Sequence, residues 1–160
     1  MKTVSDENWD RFFNIQWFAE RPFLGMEALR FLLGDKIGSG QFRAVYSFDF
    51  IPNSVIKVCT KESPANIIEM EVWKLAKGTT YEKWFAPCLY ISPEGSFLIQ
   101  KKCKPIPESG KLPKNIPSFF ADVKRANWGY IGKQLVCHDY QFIIRALDIA
   151  MNSKREVSWK

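Results

Sequence analysis

The sequence predicts an α+β fold, a five-stranded antiparallel sheet with a helix packed on it, followed by a small C-terminal helical part. Three observations carry this. Short β-branched and aromatic runs separated by turn signals crowd into residues 35–59, a helix-length amphipathic segment follows at 63–77, and two more β runs come at 88–92 and 96–101. Strands joined by such short links pair antiparallel, because a parallel pair needs a long crossover.

The elements follow in chain order. Ser5, with Asp6 and Glu7 behind it, marks a helix start, the acids sitting at the positive end of the helix dipole. Trp9, Phe12, Phe13, Trp17 and Phe18 then recur at helical spacing until Pro22, and a second short helix is expected from Met26 to Leu33. Residues 1–32 thus form an N-terminal helical extension whose aromatic stripe is a core or docking face, and 33–160 form the main domain. After Gly34, residues 35–39 lead into a glycine turn, 42–50 alternate in part, Pro52-Asn53 is a turn, and 54–59 (SVIKVC) is a strand. Ser63-Pro64 opens a helix where the missing proline N–H costs little, and it runs to about Lys77 with Ile67, Ile68, Val72 and Leu75 expected on one face. Pro93-Glu94-Gly95 joins the next two strands. Residues 103–117 read as a Pro/Lys-rich connector, with a short helix near Ser118, a small strand at 134–138 within a hairpin, and a last helix from about Tyr140 to Asn152.

Composition bounds the rest. The chain has 160 residues, enough for one domain of about 100–200. With 46% hydrophobic and 25% charged residues it is neither a disordered tail, a coiled coil nor a small disulfide scaffold, and it is too short for a barrel enzyme of about 250 residues. Lysine plus arginine number 23 against 17 acids, a net +6 that favours anionic partners such as nucleotide phosphates, nucleic acid or acidic protein faces. Lys101, Lys102, Lys104, Lys111 and Lys114 form the densest basic run. Cys59, Cys88, Cys103 and Cys137 have no zinc-ligand spacing, and with a single histidine, His138, a zinc site would need Asp or Glu to fill in. Three of the four lie in apolar runs, so reduced, buried thiols and a cytoplasmic location are expected. The N-terminus has no signal-peptide core and no apolar run approaches the ~18 residues of a membrane span.

The residues able to do chemistry fall in an ordered set. Gly38-Ser39-Gly40 sits between two strands, where glycines let backbone amides approach a phosphate, although such a hairpin turn also serves structure alone. Lys57 stands among β-branched residues and needs a charged partner if buried, Glu69 or Glu71 on the next helix. Asp122, Asn127 and Asp139 supply two carboxylates and an amide around a short hairpin, a donor set suited to Mg²⁺ and phosphate chemistry.

In this order the set resembles the protein-kinase signature: Gly38-Ser-Gly40-Gln-Phe-Arg43-Ala-Val45, Val55-Ile-Lys57, Glu69, Asp122-Val-Lys124-Arg-Ala-Asn127 and Asp139-Tyr-Gln141. The resemblance covers about residues 33–141 and implies the family's small lobe with a truncated large lobe. It implies ATP and Mg²⁺ as cofactors. Gly38, Gly40 and Val45 would cover the nucleotide, Lys57 would contact the α- and β-phosphates and pair with Glu69, and Gln100–Cys103 would be the hinge that meets adenine. Asp122 would orient the substrate hydroxyl, Lys124 would steady the γ-phosphate, and Asn127 and Asp139 would hold the metal. Arg43 stands at the family's third loop glycine, Phe120-Ala121 replace His-Arg, and Asp-Tyr-Gln replaces the usual metal-binding triplet. Only 21 residues follow Asp139, which leaves no room for an activation segment and peptide-binding helices. So small a member suggests a phage protein acting in the host cytoplasm. Three readings stay open: a kinase-like phosphotransferase acting on protein Ser/Thr, a non-catalytic pseudokinase-like protein that docks on and inhibits a host protein, and a basic nucleic-acid-binding domain.

Overall fold

The computed structural model describes residues 31–120, 122–143, 154–156 and 159. The helices expected before Phe31 and the helix expected beyond Ile143 lie outside the described residues. Five strands, β1 (Lys36–Ser39), β2 (Arg43–Ser47), β3 (Ser54–Cys59), β4 (Cys88–Ile91) and β5 (Phe97–Lys101), form one antiparallel sheet in the order β1-β2-β3-β5-β4. Helix α1 (Ala65–Ala76) lies between β3 and β4 in the chain. The α+β class and the five-stranded antiparallel sheet with its helix are as the sequence predicts.

Alternation in the central strands divides the sheet cleanly. Ile56 pairs with Ile99 and Val58 with Phe97; they face one side, where Ile56, Ile99, Phe97 and Phe48 form a small core flanked by Leu32, Leu33, Ile51 and Tyr90. Val55 pairs with Gln100 and Lys57 with Leu98, and these face α1. A pleated strand sends consecutive side chains to opposite faces, so Lys57 had to share a face with Val55 and with its neighbour on β2, Val45.

The helix sits differently from its expected apolar stripe. Ile67 and Leu75 are exposed, and the buried face is Asn66, Glu69, Met70, Val72, Trp73 and Ala76. The sheet beneath α1 carries buried cations, and the helix turns its polar residues to meet them, leaving two aliphatic side chains in water. Gly78 ends the helix at φ +78°, a left-handed conformation that glycine adopts without steric cost.

The rest of the described chain is β structure and turns. β6 (Lys104–Pro105), β8 (Trp128–Ile131) and β9 (Gln134–Cys137) make a three-stranded sheet, and β7 (Asn115–Pro117) pairs with β10 (Lys154–Glu156). Two segments read as connector therefore form short strands, and the helix expected near Ser118 is a turn at 118–119. Adjacent Phe119 and Phe120 both enter the main core, a demand that consecutive positions of an amphipathic helix meet poorly. Residues 141–142, at the expected start of the last helix, form a turn. The main core joins α1 to both regions: Met70, Val72 and Trp73 pack with Phe85, Phe119, Phe120, Trp128 and Tyr140. Tyr140 Oη donates to the Ala86 carbonyl at 2.7 Å, and the Ala86 N–H donates to Cys137 O at 2.8 Å. No helix among the described residues is long and apolar enough to cross a membrane.

Two glycine turns offer a matched test. Gly95 (φ +72°) would bring an added Cβ within 2.5 Å of Ile67 Cγ1, whereas Gly132 (φ +62°) has open space around it. Gly132→Ala should cost about 1–2 kcal/mol from backbone strain alone, and Gly95→Ala should cost more in the same urea titration. Equal losses would show that Ile67 yields freely.

Candidate functional site

One cleft of about 1020 Å³ opens between the five-stranded sheet and the segment that carries β8 and β9. Gly38, Gly40, Val45, Lys57, Asp122, Lys124, Asn127 and Asp139 all line it, so side chains scattered over about a hundred positions converge. Glu69 lies behind this lining, fully buried at 0% exposure.

Glu69 organises the floor of the cleft. Its Oε1 accepts from Lys57 Nζ at 2.5 Å and from Gln100 Nε2 at 2.8 Å, and its Oε2 accepts from Arg43 Nη1. The alternative lysine partner, Glu71, faces water and pairs with Lys74 at 2.8 Å. Helical geometry explains the choice: positions 66 and 69 lie three apart on the face toward the sheet, whereas 71 points away. Lys57 also donates to the His138 carbonyl, which ties the third strand to the loop before Asp139.

Arg43, at 6% exposure, spans the site. Its Nη1 also reaches Asn66 Oδ1 at 3.3 Å, and its Nη2 meets Asp139 Oδ1 at 2.7 Å. Strand pairing sets this up, because Arg43 opposes Cys59 and Val45 opposes Lys57, which puts Arg43 and Lys57 diagonally on one face. The result is a chain of alternating charge, Lys57–Glu69–Arg43–Asp139. Asn66, itself fully buried, completes it by donating to the Gly95 carbonyl at 2.9 Å.

Electrostatics follow from burial and pairing. Burial alone would push the Glu69 carboxyl up, but Lys57 and Arg43 outweigh it and hold the group below the ordinary carboxylate range. Burial works against the Arg43 charge too, and Glu69 and Asp139 more than offset it. Burial and the nearby Lys57 charge push His138 down to about 4, so it is neutral at pH 7. The thiols of Cys88 and Cys103 are pushed up by burial, to about 12 and about 11.

A second group stands on the opposite wall. Asp122 Oδ2 accepts from Asn127 Nδ2 at 3.0 Å and from Lys124 Nζ at 3.3 Å, which holds a carboxylate and an ammonium side by side at the cleft surface. A short 3-10 turn at Arg125–Asn127 brings Asn127 back toward Asp122. On the roof, an added Cβ at Gly38 or Gly40 would touch nothing within 4 Å, so internal packing does not require glycine there. Their smallness leaves room on the cleft side, as close approach of a ligand to the backbone would need.

The metal expected at Asn127 and Asp139 would meet two residues that line the cleft and already carry partners. A divalent cation needs several oxygen ligands at short range. Asp139 Oδ1 already carries the Arg43 guanidinium and Asn127 Nδ2 donates to Asp122, so an ion bound there would draw on Asp139 Oδ2, Asn127 Oδ1 and oxygens of the ligand. A like charge fixed on the ligand repels an incoming cation.

Arg43 and Asn66 are site residues that motif reading missed as such, and Gln100, read as the start of a hinge, turns its side chain onto buried Glu69 instead. A signal for the first two existed, in the diagonal register of β2 on β3 and the three-residue spacing of Asn66 and Glu69. Gln100 must present Nε2 to Glu69, which only accepts, and this leaves its buried Oε1 without a partner beside the cleft.

Glu69→Gln would leave Lys57 and Arg43 buried without their shared counter-charge, an expected loss of about 3–5 kcal/mol in urea unfolding, whereas Glu71→Gln should change little. Stability should also fall with acid in two stages. The unfolded histidine takes up its proton near pH 6.5 while folded His138 resists down to about 4, so stability drops as pH falls through that window. Below about pH 4.3, the ordinary glutamate value, the depressed Glu69 adds a further loss as pH falls toward its folded pKa. His138→Gln should flatten the first stage and leave the second, as read from unfolding midpoints against pH.

No protein-family model and no curated protein matches this chain, so what the cleft can do rests on its own geometry and chemistry.

Proposed function

We propose that this chain is a kinase-like nucleotide-binding protein whose cleft takes ATP. The observation that carries the reading is Lys57, 3% exposed, held at 2.5 Å by a fully buried glutamate on the next helix while it lines an open cleft. Burying an ammonium and a carboxylate side by side is expensive and contributes little stability over an apolar pair. A charge kept there at that cost, with its face toward the cleft, suits an anionic ligand.

The surrounding groups fit the same ligand. Gly38 and Gly40 leave their turn open to phosphate oxygens, and Lys124 beside Asp122 offers a cation to the terminal phosphate. Lys101 and Lys102 line the same cleft within the segment where the resemblance expects adenine to lie, and Lys104 lines it just beyond.

Two versions of this function differ in chemistry. In a phosphotransferase, Asp122 orients a protein hydroxyl toward the terminal phosphate, and the Asp122–Lys124–Asn127 cluster on the wall opposite Lys57 supports that version. In a non-catalytic protein that acts by docking on a partner, nucleotide occupancy stabilises the fold, and the Arg43–Asp139 pair supports this version, because it engages the carboxylate that a transferase would use for metal.

ATP at about 100 times its Kd should stabilise the protein by about 2.7 kcal/mol, or roughly 5–10 °C in thermal unfolding for a chain of this size. Lys57→Met should abolish the shift while leaving Glu69 paired to Arg43. An unshifted wild-type Tm at saturating ATP overturns nucleotide binding. Transfer of label from the terminal phosphate to protein, lost in Asp122→Asn, separates the enzyme from the binder.

A further inference from the structure

We propose that the cleft binds its nucleotide as the uncomplexed anion, without a divalent cation, because the Arg43 guanidinium occupies the carboxylate that would otherwise take the metal. The proposal rests on the nucleotide reading of the cleft and deepens it by naming the ionic form of the ligand.

Arg43 is anchored from both ends of its guanidinium. Nη1 is held by Glu69 and Asn66, and Nη2 by Asp139 Oδ1 at 2.7 Å. Arginine keeps its charge at any working pH, and this one lies 6% exposed among fixed acceptors. A cation arriving at Asp139 must either displace the guanidinium from Oδ1, which takes one of three side-chain partners from a buried charge, or bind the remaining oxygen beside that fixed positive charge. Neither is favourable. The other expected metal ligand, Asn127, donates through its amide nitrogen to Asp122 at 3.0 Å, so only its carbonyl oxygen would serve a cation.

The cleft wall matches this ionic form. Lys101, Lys102 and Lys104 are exposed along one side, and Lys124 stands on the other. Free ATP carries two more negative charges than its complex with one divalent ion, so a wall of cations favours the free form.

The test is calorimetric titration of the full chain with ATP, once in excess EDTA and once in excess Mg²⁺. Binding in EDTA as tight as in Mg²⁺, or several-fold tighter, supports the proposal. Binding only in Mg²⁺, or more than tenfold tighter there, overturns it while leaving the nucleotide reading intact. Absence of binding in both media overturns the nucleotide reading, and this proposal with it. Arg43→Gln, which removes the charge and releases Asp139, should make binding tighten on addition of Mg²⁺. The wild-type comparison decides the matter even if that variant fails to fold.

Discussion

A carboxylate sealed from water must be neutralised where it lies, and that requirement at Glu69 governs much of this structure. Three donors from three different strands meet its two oxygens: Arg43 from β2, Lys57 from β3 and Gln100 from β5. The helix cannot rotate or slide by a residue without stranding two cations in the interior, where each lost partner costs several kcal/mol. Packing of Met70, Val72 and Trp73 supplies the attraction between helix and core, but it would tolerate small shifts. The polar centre fixes the register.

The same centre links the two halves of the cleft. Lys57 reaches the His138 carbonyl and Arg43 reaches Asp139, so the loop after β9 is held to the five-stranded sheet by charge as well as by the Tyr140 hydroxyl on Ala86. Beneath it, Phe85, Phe119, Phe120 and Trp128 pack ring against ring at centroid distances of 4.7–5.9 Å, a rigid floor for the opposite wall. Both walls are thus preorganised, and a ligand entering between them has little ordering left to bring about.

Much of the scaffold was legible from residue order. SVIKVC forms β3 over the expected residues, the helix after Ser63-Pro64 ends before Gly78, and the residues expected to face a ligand do line one cleft. What escaped has definite causes. Hydrophobic periodicity put Ile67 and Leu75 inward because it gives polar residues no credit for burial, and here Asn66 and Glu69 were the inward ones. β6 and β7 are two and three residues long and each includes a proline, so no period can register. Arg43 read as a departure from a glycine pattern. Its role became visible only when strand pairing set it diagonally to Lys57 and within reach of a residue 96 positions away.

That last separation has a consequence for how the protein assembles. Closing a 96-residue loop costs conformational entropy that must be lost before the contact returns anything. Contacts of long sequence separation slow folding, whereas the β1–β2–β3 meander and α1 can form from near neighbours. The sheet and helix can therefore be in place, with Lys57 already on Glu69, while Arg43 still has one end of its guanidinium facing water. Residues 138–140 are the part of the cleft brought from farthest along the chain, and the cleft has both its walls only once they are in place.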